Sequence, residues 1–283
     1  MLTTEQIDYY HEHGFLLIPG LFTTRATDEL ADELDRLISG WCVPEPGWTG
    51  DWRKEYMSDA VEKRARLVAL HDLQFYSGAW SRAVCNARLV DALSDLIGPV
   101  VEFHHSTMHV KPPETGMPFP MHQDWPFYPH RDHRYVDVLV HLDDTSHDNG
   151  EIRFLDGSHR WGVLDHVVRT DEGPCTPHLP TGRYRLEDSV AVPAHRGDVV
   201  CFNICTAHGS YINRTTRPRR MVRLGYRHPD NRQIDGQSLR RPGLIVRGVR
   251  PRAEDQPPFP DPYNGNVRSG RDDTPELGVQ WVR

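Results

Sequence analysis

The stretch Val100-Val-Glu-Phe-His-His-Ser-Thr-Met-His-Val-Lys111 decides the fold, because from residue 100 onward the side-chain period is two. Residues 135–142, 151–155, 190–192, 198–204 and 220–227 show the same strand-like patterning. Turn signals separate the runs: Pro112-Pro113, Asn149-Gly150, Asp156-Gly157 and Arg196-Gly197. Residues 1–99 differ in kind. Thr3-Thr-Glu-Gln6 has capping-box spacing ahead of Ile7, Tyr10 and His11, and Gly14 ends that helix. Phe15-Leu-Leu-Ile18 then reads as a short buried strand. A second helix is predicted over 24–39, with Leu30, Leu34, Leu37 and Ile38 on one stripe and Gly40 as its stop. A third is predicted over 86–97, with Leu89, Leu93, Leu96 and Ile97 on its apolar face. Residues 41–65, rich in Trp, Gly and charge, read as a long loop whose length implies function. Helices followed by many short strands predict a mainly β protein, a barrel or jelly roll with flanking N-terminal helices. The whole of 1–283 reads as one domain: a helical flank over about 1–99, a β core over about 100–228 and a C-terminal extension over about 229–283. Its last part, 252–283, is rich in Pro, Asp, Gly and Arg and reads as a loose tail.

Composition narrows the function. The 283 residues carry a formal charge of −7, which argues against nucleic acid as a partner. No apolar run is long enough for a membrane helix, and the N-terminus has no signal-peptide pattern. Five scattered cysteines fit free thiols in a reducing cytoplasm better than a disulfide framework. Cys201 and Cys205 lack the spacing and partners of a zinc or redox pair. Lysine is nearly absent, with only Lys54, Lys63 and Lys111 against many arginines, as GC-rich codon usage would produce. No P-loop, GxSxG or dinucleotide fingerprint is present.

The chemistry concentrates in Met121-His-Gln-Asp-Trp125 and in His208. Two histidines and one carboxylate can occupy one face of an octahedral metal and leave three positions open, the arrangement of non-haem Fe(II) oxygenases. In extended backbone, residues 122 and 124 point the same way. Eleven residues after His208 stands Arg219, whose planar fork suits a dicarboxylate co-substrate; Ser210 can add a hydroxyl. Arg214, Arg217, Arg220 and Arg223 read as solvated neighbours. On strand 100–111, His105, Thr107, His109 and Lys111 share one face. His105 and Thr107 are candidate hydrogen-bond partners for the co-substrate, and Lys111 is a candidate at the substrate mouth. Trp125, Phe127 and Tyr128 are candidates for a substrate wall, whereas His104 and His159 read as structural.

These motifs in order resemble the phytanoyl-CoA dioxygenase family of Fe(II)/2-oxoglutarate-dependent oxygenases. The resemblance covers residues 4–20, His109-Val-Lys-Pro-Pro113 leading to His122-Gln-Asp124, and Asn149-Gly150 with Leu155-Asp-Gly-Ser-His-Arg160. Gly197-Asp-Val-Val200 before His208-Gly-Ser210 completes it. Asp156 stands where the family usually has proline. The resemblance implies a double-stranded β-helix, with His122, Asp124 and His208 binding iron and Arg219 holding 2-oxoglutarate while O2 is used. Relatives that halogenate replace the carboxylate ligand by a small residue, so Asp124 points to hydroxylation of an unactivated C–H. The expected partner is a small molecule, free or linked to CoA or a carrier, in bacterial secondary metabolism. The residues alone leave an alternative: a cupin-type metal-binding barrel that binds or isomerises a small ligand without O2 and 2-oxoglutarate.

Overall fold

The structure, a computed structural model, describes residues 1–251 apart from Ser238, Arg240 and Pro242. Helix α1 (Thr4–His13), strand β1 (Phe15–Ile18), helix α2 (Thr24–Trp41), and the short helices α3 (Trp52–Tyr56) and α4 (Asp59–Glu62) come first. Strand β2 (Val68–His71) and helices α5 (Gly78–Ala83) and α6 (Ala87–Ile97) follow. The β region holds β3 (Val101–Val110), β4 (Phe119–His122), β5 (Tyr135–His141), β6 (Ile152–Phe154), β7 (Val167–Thr170) and β8 (Gly173–His178). It continues with β9 (Val190–Val192), β10 (Val199–Asn203), β11 (His208–Ser210), β12 (Met221–Arg227) and β13 (Leu244–Arg247).

Two antiparallel sheets form a jelly roll of the double-stranded β-helix type. The larger runs β1-β10-β5-β12-β3-β13, with β2 also on β3; the smaller runs β4-β11-β6-β9. Strand alternation assigns the two faces of the larger sheet. Val136, Val138, Val140, Val222 and Leu224 meet α2 and α6 in the main core, together with Leu34 and Leu93. Leu139, Val200, Phe202 and Met221 point the other way, onto Ile152 and Phe154 of the smaller sheet. The space between the sheets is lined by apolar side chains, and Leu139, Ile152 and Met221 among them also border a cavity.

Several expectations are corrected in detail. Helix α2 passes through Gly40, because Cys42 N–H still donates to Ile38 C=O at 3.1 Å and continues the ladder. The stretch 41–65 is not all loop: Trp52, 1% exposed, anchors α3, and Arg53 Nε donates to Glu62 Oε1 at 3.0 Å across α3 and α4. Helices of five and four residues are too short to show a period. Asp124 is not on extended backbone, since β4 ends at His122 and Asp124 is helical at φ −76°, ψ −20°. The alternation on β3 holds from 105 to 111 but is interrupted by a bulge opposite Gly225/Tyr226, which brings the His104 and His105 rings to 4.7 Å.

The chain divides into a unit Met1–Val249 and a second unit Arg250–Arg283. The expected tail 252–283 lies outside the described residues. The five cysteines are free. Among the described residues no helix is long and apolar enough to cross a membrane.

Candidate metal and co-substrate site

Antiparallel pairing of β4 and β11 sets His122 directly opposite His208, with ring centroids 4.1 Å apart. The turn after β4 then brings Asp124 beside them. Its Oδ1 lies 3.7 Å from His122 Nε2 and 3.9 Å from His208 Nε2. All three residues are buried, and their donor atoms fall within 4.8 Å of one another. Carbonyls fix the histidine tautomers: His122 Nδ1 donates to Pro120 C=O at 2.8 Å and His208 Nδ1 to Thr206 C=O at 3.0 Å. Each Nε2 is left with a lone pair for a cation. Burial keeps both histidines below the usual imidazole value, so they stay neutral. Burial pushes the Asp124 carboxyl up, but Arg223 and the two histidines outweigh it and hold it below the usual carboxylate range. Neutral imidazoles and an ionised carboxylate are the forms a divalent metal binds.

Between these residues Gln123 is fully buried and pins the turn. Its amide N–H2 donates to Gly162 C=O at 2.8 Å and Cys205 C=O at 2.7 Å, and its Oε1 accepts from Leu164 N–H at 2.8 Å. The cavity beside the triad has a volume of about 160 Å³. Arg219, Met221 and Arg223 reach it from β12 and the residues before it, as alternation requires. Arg219 is 1% exposed, and neither its Nε nor its Nη1 has a hydrogen-bond partner. Burial pushes its guanidinium down to about 10, so it remains charged at neutral pH. A buried, charged fork without a partner is the feature that a dicarboxylate would satisfy. Ser210 and Thr107 also line the cavity, and Thr107 Oγ1 bonds His71 Nδ1 at 3.0 Å.

The other sequence candidates divide. Phe127 lines the cavity, joined by Trp48 and Phe119. Trp125, Tyr128, His105 and Lys111 do not line it. Tyr128 is fully buried behind Arg223, and its hydroxyl donates to Asp137 at 3.0 Å. His105 sits in the same layer, 3.4 Å from Arg223 Nη2. Trp125 packs beside Tyr128 and Ile204. Lys111 is fully buried, and its amine donates to Ser210 Oγ at 2.7 Å and to Tyr211 C=O. Burial and then Arg219 push its amine well below the ordinary lysine value. These four support the wall rather than face the cavity.

Three contributors escaped the sequence reading. Trp48 packs edge-on to His122 at 4.6 Å, and the tryptophan-rich stretch 41–65 was its only signal. Arg223, read as a solvated neighbour, is 9% exposed and bonded to Asp124. His141 on β5 is fully buried with both ring nitrogens unpartnered, and Arg219 is near enough to depress its basicity. Its place on the face shared with Asp137 and Leu139 was its only mark. His159 is structural, as expected: its Nε2 donates to His11 C=O at 3.0 Å.

Comparison with known proteins identifies the family and the fold. The family model described as Phytanoyl-CoA dioxygenase (PhyH) matches residues 10–221. A protein of Stutzerimonas stutzeri named "Probable alpha-ketoglutarate-dependent hypophosphite dioxygenase" is 28% identical over 229 residues, 80% of this chain and 79% of its own length. An ectoine dioxygenase of Bordetella bronchiseptica is 25% identical over 246 residues, 81% of this chain and 77% of its own. In fold, the crystal structure of the non-heme alpha ketoglutarate dependent carbocyclase SnoK from nogalamycin biosynthesis is similar, with a TM-score of 0.68 at 19% identity over 83% of this chain and 88% of that one. The chain belongs to the phytanoyl-CoA dioxygenase family, and with it to the non-haem iron(II)- and 2-oxoglutarate-dependent dioxygenases.

Proposed function

We propose that this enzyme hydroxylates an unactivated C–H of a free small molecule, in cytoplasmic tailoring chemistry of the kind found in bacterial secondary metabolism. The observation that carries the reading is the buried, unpartnered Arg219 fork on the same cavity as the His122, Asp124 and His208 triad. In this reading His122, Asp124 and His208 hold iron, and Arg219 with Ser210 holds the far carboxylate of 2-oxoglutarate. Thr107, which lines the cavity, is a candidate for a further hydrogen bond to the co-substrate. Iron and 2-oxoglutarate, when bound, supply O2-dependent oxidation of a C–H bond with decarboxylation of the co-substrate to succinate. The chain's residues do the rest. Pro120 and Thr206 carbonyls keep each Nε2 turned to the metal. Arg219 sets the orientation of the co-substrate, and Leu139, Ile152 and Met221 keep that end of the cavity dry. Trp48, Phe119 and Phe127 form the wall against which a substrate is held.

A free substrate is preferred to a CoA thioester because the two arginines lining the cavity are taken up by the site itself, Arg223 by Asp124 and Arg219 by the co-substrate. The names of relatives, hypophosphite and ectoine dioxygenases, are those of enzymes with small substrates. The single-domain reading is part of the proposal: every residue given a role falls within Met1–Val249.

The test is an anaerobic titration of the apo-protein with Fe(II) and then 2-oxoglutarate, with His208→Ala as control. A visible charge-transfer band in the wild type alone is the expected result. Fe(II) binding without a band on adding 2-oxoglutarate would sink the oxygenase reading of this site. Hydroxylation is then read from product mass in a small-molecule screen, where an isomerised product without added oxygen would overturn it.

A further inference from the structure

We infer that Arg223 is a positioning residue: it restrains Asp124 to binding metal through one oxygen and so keeps the open face of the site clear. The inference rests on His122, Asp124 and His208 being the ligand set. The two oxygens of Asp124 face different partners. Oδ1 turns to the histidines, at 3.7 and 3.9 Å from their Nε2 atoms. Oδ2 accepts a hydrogen bond from Arg223 Nη1. The guanidinium is itself held from several sides. Nη1 also donates to Tyr128 Oη, and Nη2 lies 3.4 Å from His105 Nε2. The Tyr128 ring packs beneath it at 5.1 Å, and Asp137 Oδ1 stands 3.8 Å from its Nε.

The position follows from the strand. Arg223 is on the same face of β12 as Met221, paired with Leu139 of β5 on one side and Thr107 of β3 on the other. Its side chain therefore reaches under the triad from the sheet opposite β4 and β11. A charge-assisted bond from a fixed guanidinium is among the stronger hydrogen bonds a carboxylate makes. Each carboxylate oxygen has two lone pairs, so the effect of the bond is on orientation: it holds Oδ2 on Arg223 and leaves Oδ1 toward the histidines. Freed of it, Asp124 is able to chelate through both oxygens and take a position that the two-histidine, one-carboxylate arrangement otherwise leaves open. Arg223 thereby acts on co-substrate binding through Asp124, without being a ligand itself.

This predicts a split that a purely structural arginine would not produce. In Arg223→Gln, Fe(II) affinity under anaerobic conditions is expected to stay within about threefold of wild type, because a second carboxylate oxygen replaces the lost order. The affinity of the Fe(II)-loaded protein for 2-oxoglutarate is expected to fall by roughly tenfold or more, because the co-substrate must first displace the second Asp124 oxygen. The charge-transfer band should shift or weaken. A folded Arg223→Gln protein with wild-type 2-oxoglutarate affinity and an unchanged band overturns the inference. If the variant does not fold, a crystal structure of Mn(II)-loaded wild type decides. Asp124 bound through Oδ1 alone, with Oδ2 on Arg223, supports the inference; a bidentate Asp124, or Arg223 turned away, overturns it. A wild type that gives no band overturns the functional reading and this inference together, whereas a normal wild type beside a normal variant overturns this inference alone.

Discussion

Arg219 and His141 are neighbours with opposite chemistry, and each predicts its own measurement. The Arg219 guanidinium is buried and charged with two nitrogens unpartnered, which in the proposed function a 2-oxoglutarate carboxylate satisfies. Losing a buried charge-assisted pair costs about 2–5 kcal/mol. Arg219→Ala should therefore raise the 2-oxoglutarate requirement by roughly 100-fold, read as KM under saturating Fe(II), and an unchanged KM would refute the role. His141 has two buried nitrogens without partners and is kept neutral, its pKa pushed down to about 4 by burial and then by Arg219. An unsatisfied buried polar group costs about 1–3 kcal/mol. His141→Leu should leave the apo-protein as stable or about 1 kcal/mol more stable by urea denaturation. A clear loss of stability would show that the ring has a partner in the apo fold.

Elements carry the site through close approaches that single residues do not reveal. Gly150, at φ +78°, sits where a Cβ would meet Tyr211 C=O at 2.3 Å and Lys111 Nζ at 2.8 Å. The turn after Asn149 thus lies against the end of β11, and Lys111 ties that end to β3 through Ser210 and Tyr211. Gly150→Ala combines a left-handed backbone with a steric clash and should cost about 2 kcal/mol. A loss of stability near zero in a chemical melt would contradict the contact. On the far side of the larger sheet, Leu34 of α2 is fully buried in the main core. Leu34→Ala should destabilise by about 3 kcal/mol through lost burial and the cavity left behind. The triad geometry should survive, because α2 packs on the sheet face opposite the cavity; Fe(II) affinity at a temperature where the variant is folded checks this.

For the whole molecule, the layer of buried histidines sets an acid limit. Burial pushes His104 down to about 2 and His130 to about 4, as it does His141. In the unfolded chain each takes up a proton as the pH falls through about 6.5, while the folded protein leaves it neutral. Their contribution to stability is complete above about pH 6.5 and is lost progressively as the pH falls toward 4. Guanidinium melts of the apo-protein at a series of pH values from 7.5 to 4.5 should show this decline. Stability that does not change across that range would mean that these rings are solvated or paired with a carboxylate in the fold.

What the sequence by itself determined is local. The capping box of α1, the apolar stripes of α2 and α6 and the period-two strands are read from neighbouring residues, because each expresses one backbone geometry repeated over a few positions. His122, Asp124, His208 and Arg219 were candidates through the order and spacing of short motifs that resemble a family, not through the residue types, which are abundant in this chain. Tertiary structure decided which of their neighbours matter. The His122–His208 register, the arrival of Trp48 from a stretch far upstream and the pairing of Arg223 with Asp124 join residues remote in sequence. Arg220 shows the contrast. It is one step from Arg219 along the chain, faces outward and pairs with Asp143 and Asp35. No local pattern separates the inward arginines from the outward one until the strand's face is known. That face is set by the burial of Val222 and Leu224 against the helices, a packing summed over the whole sheet rather than written in any one segment.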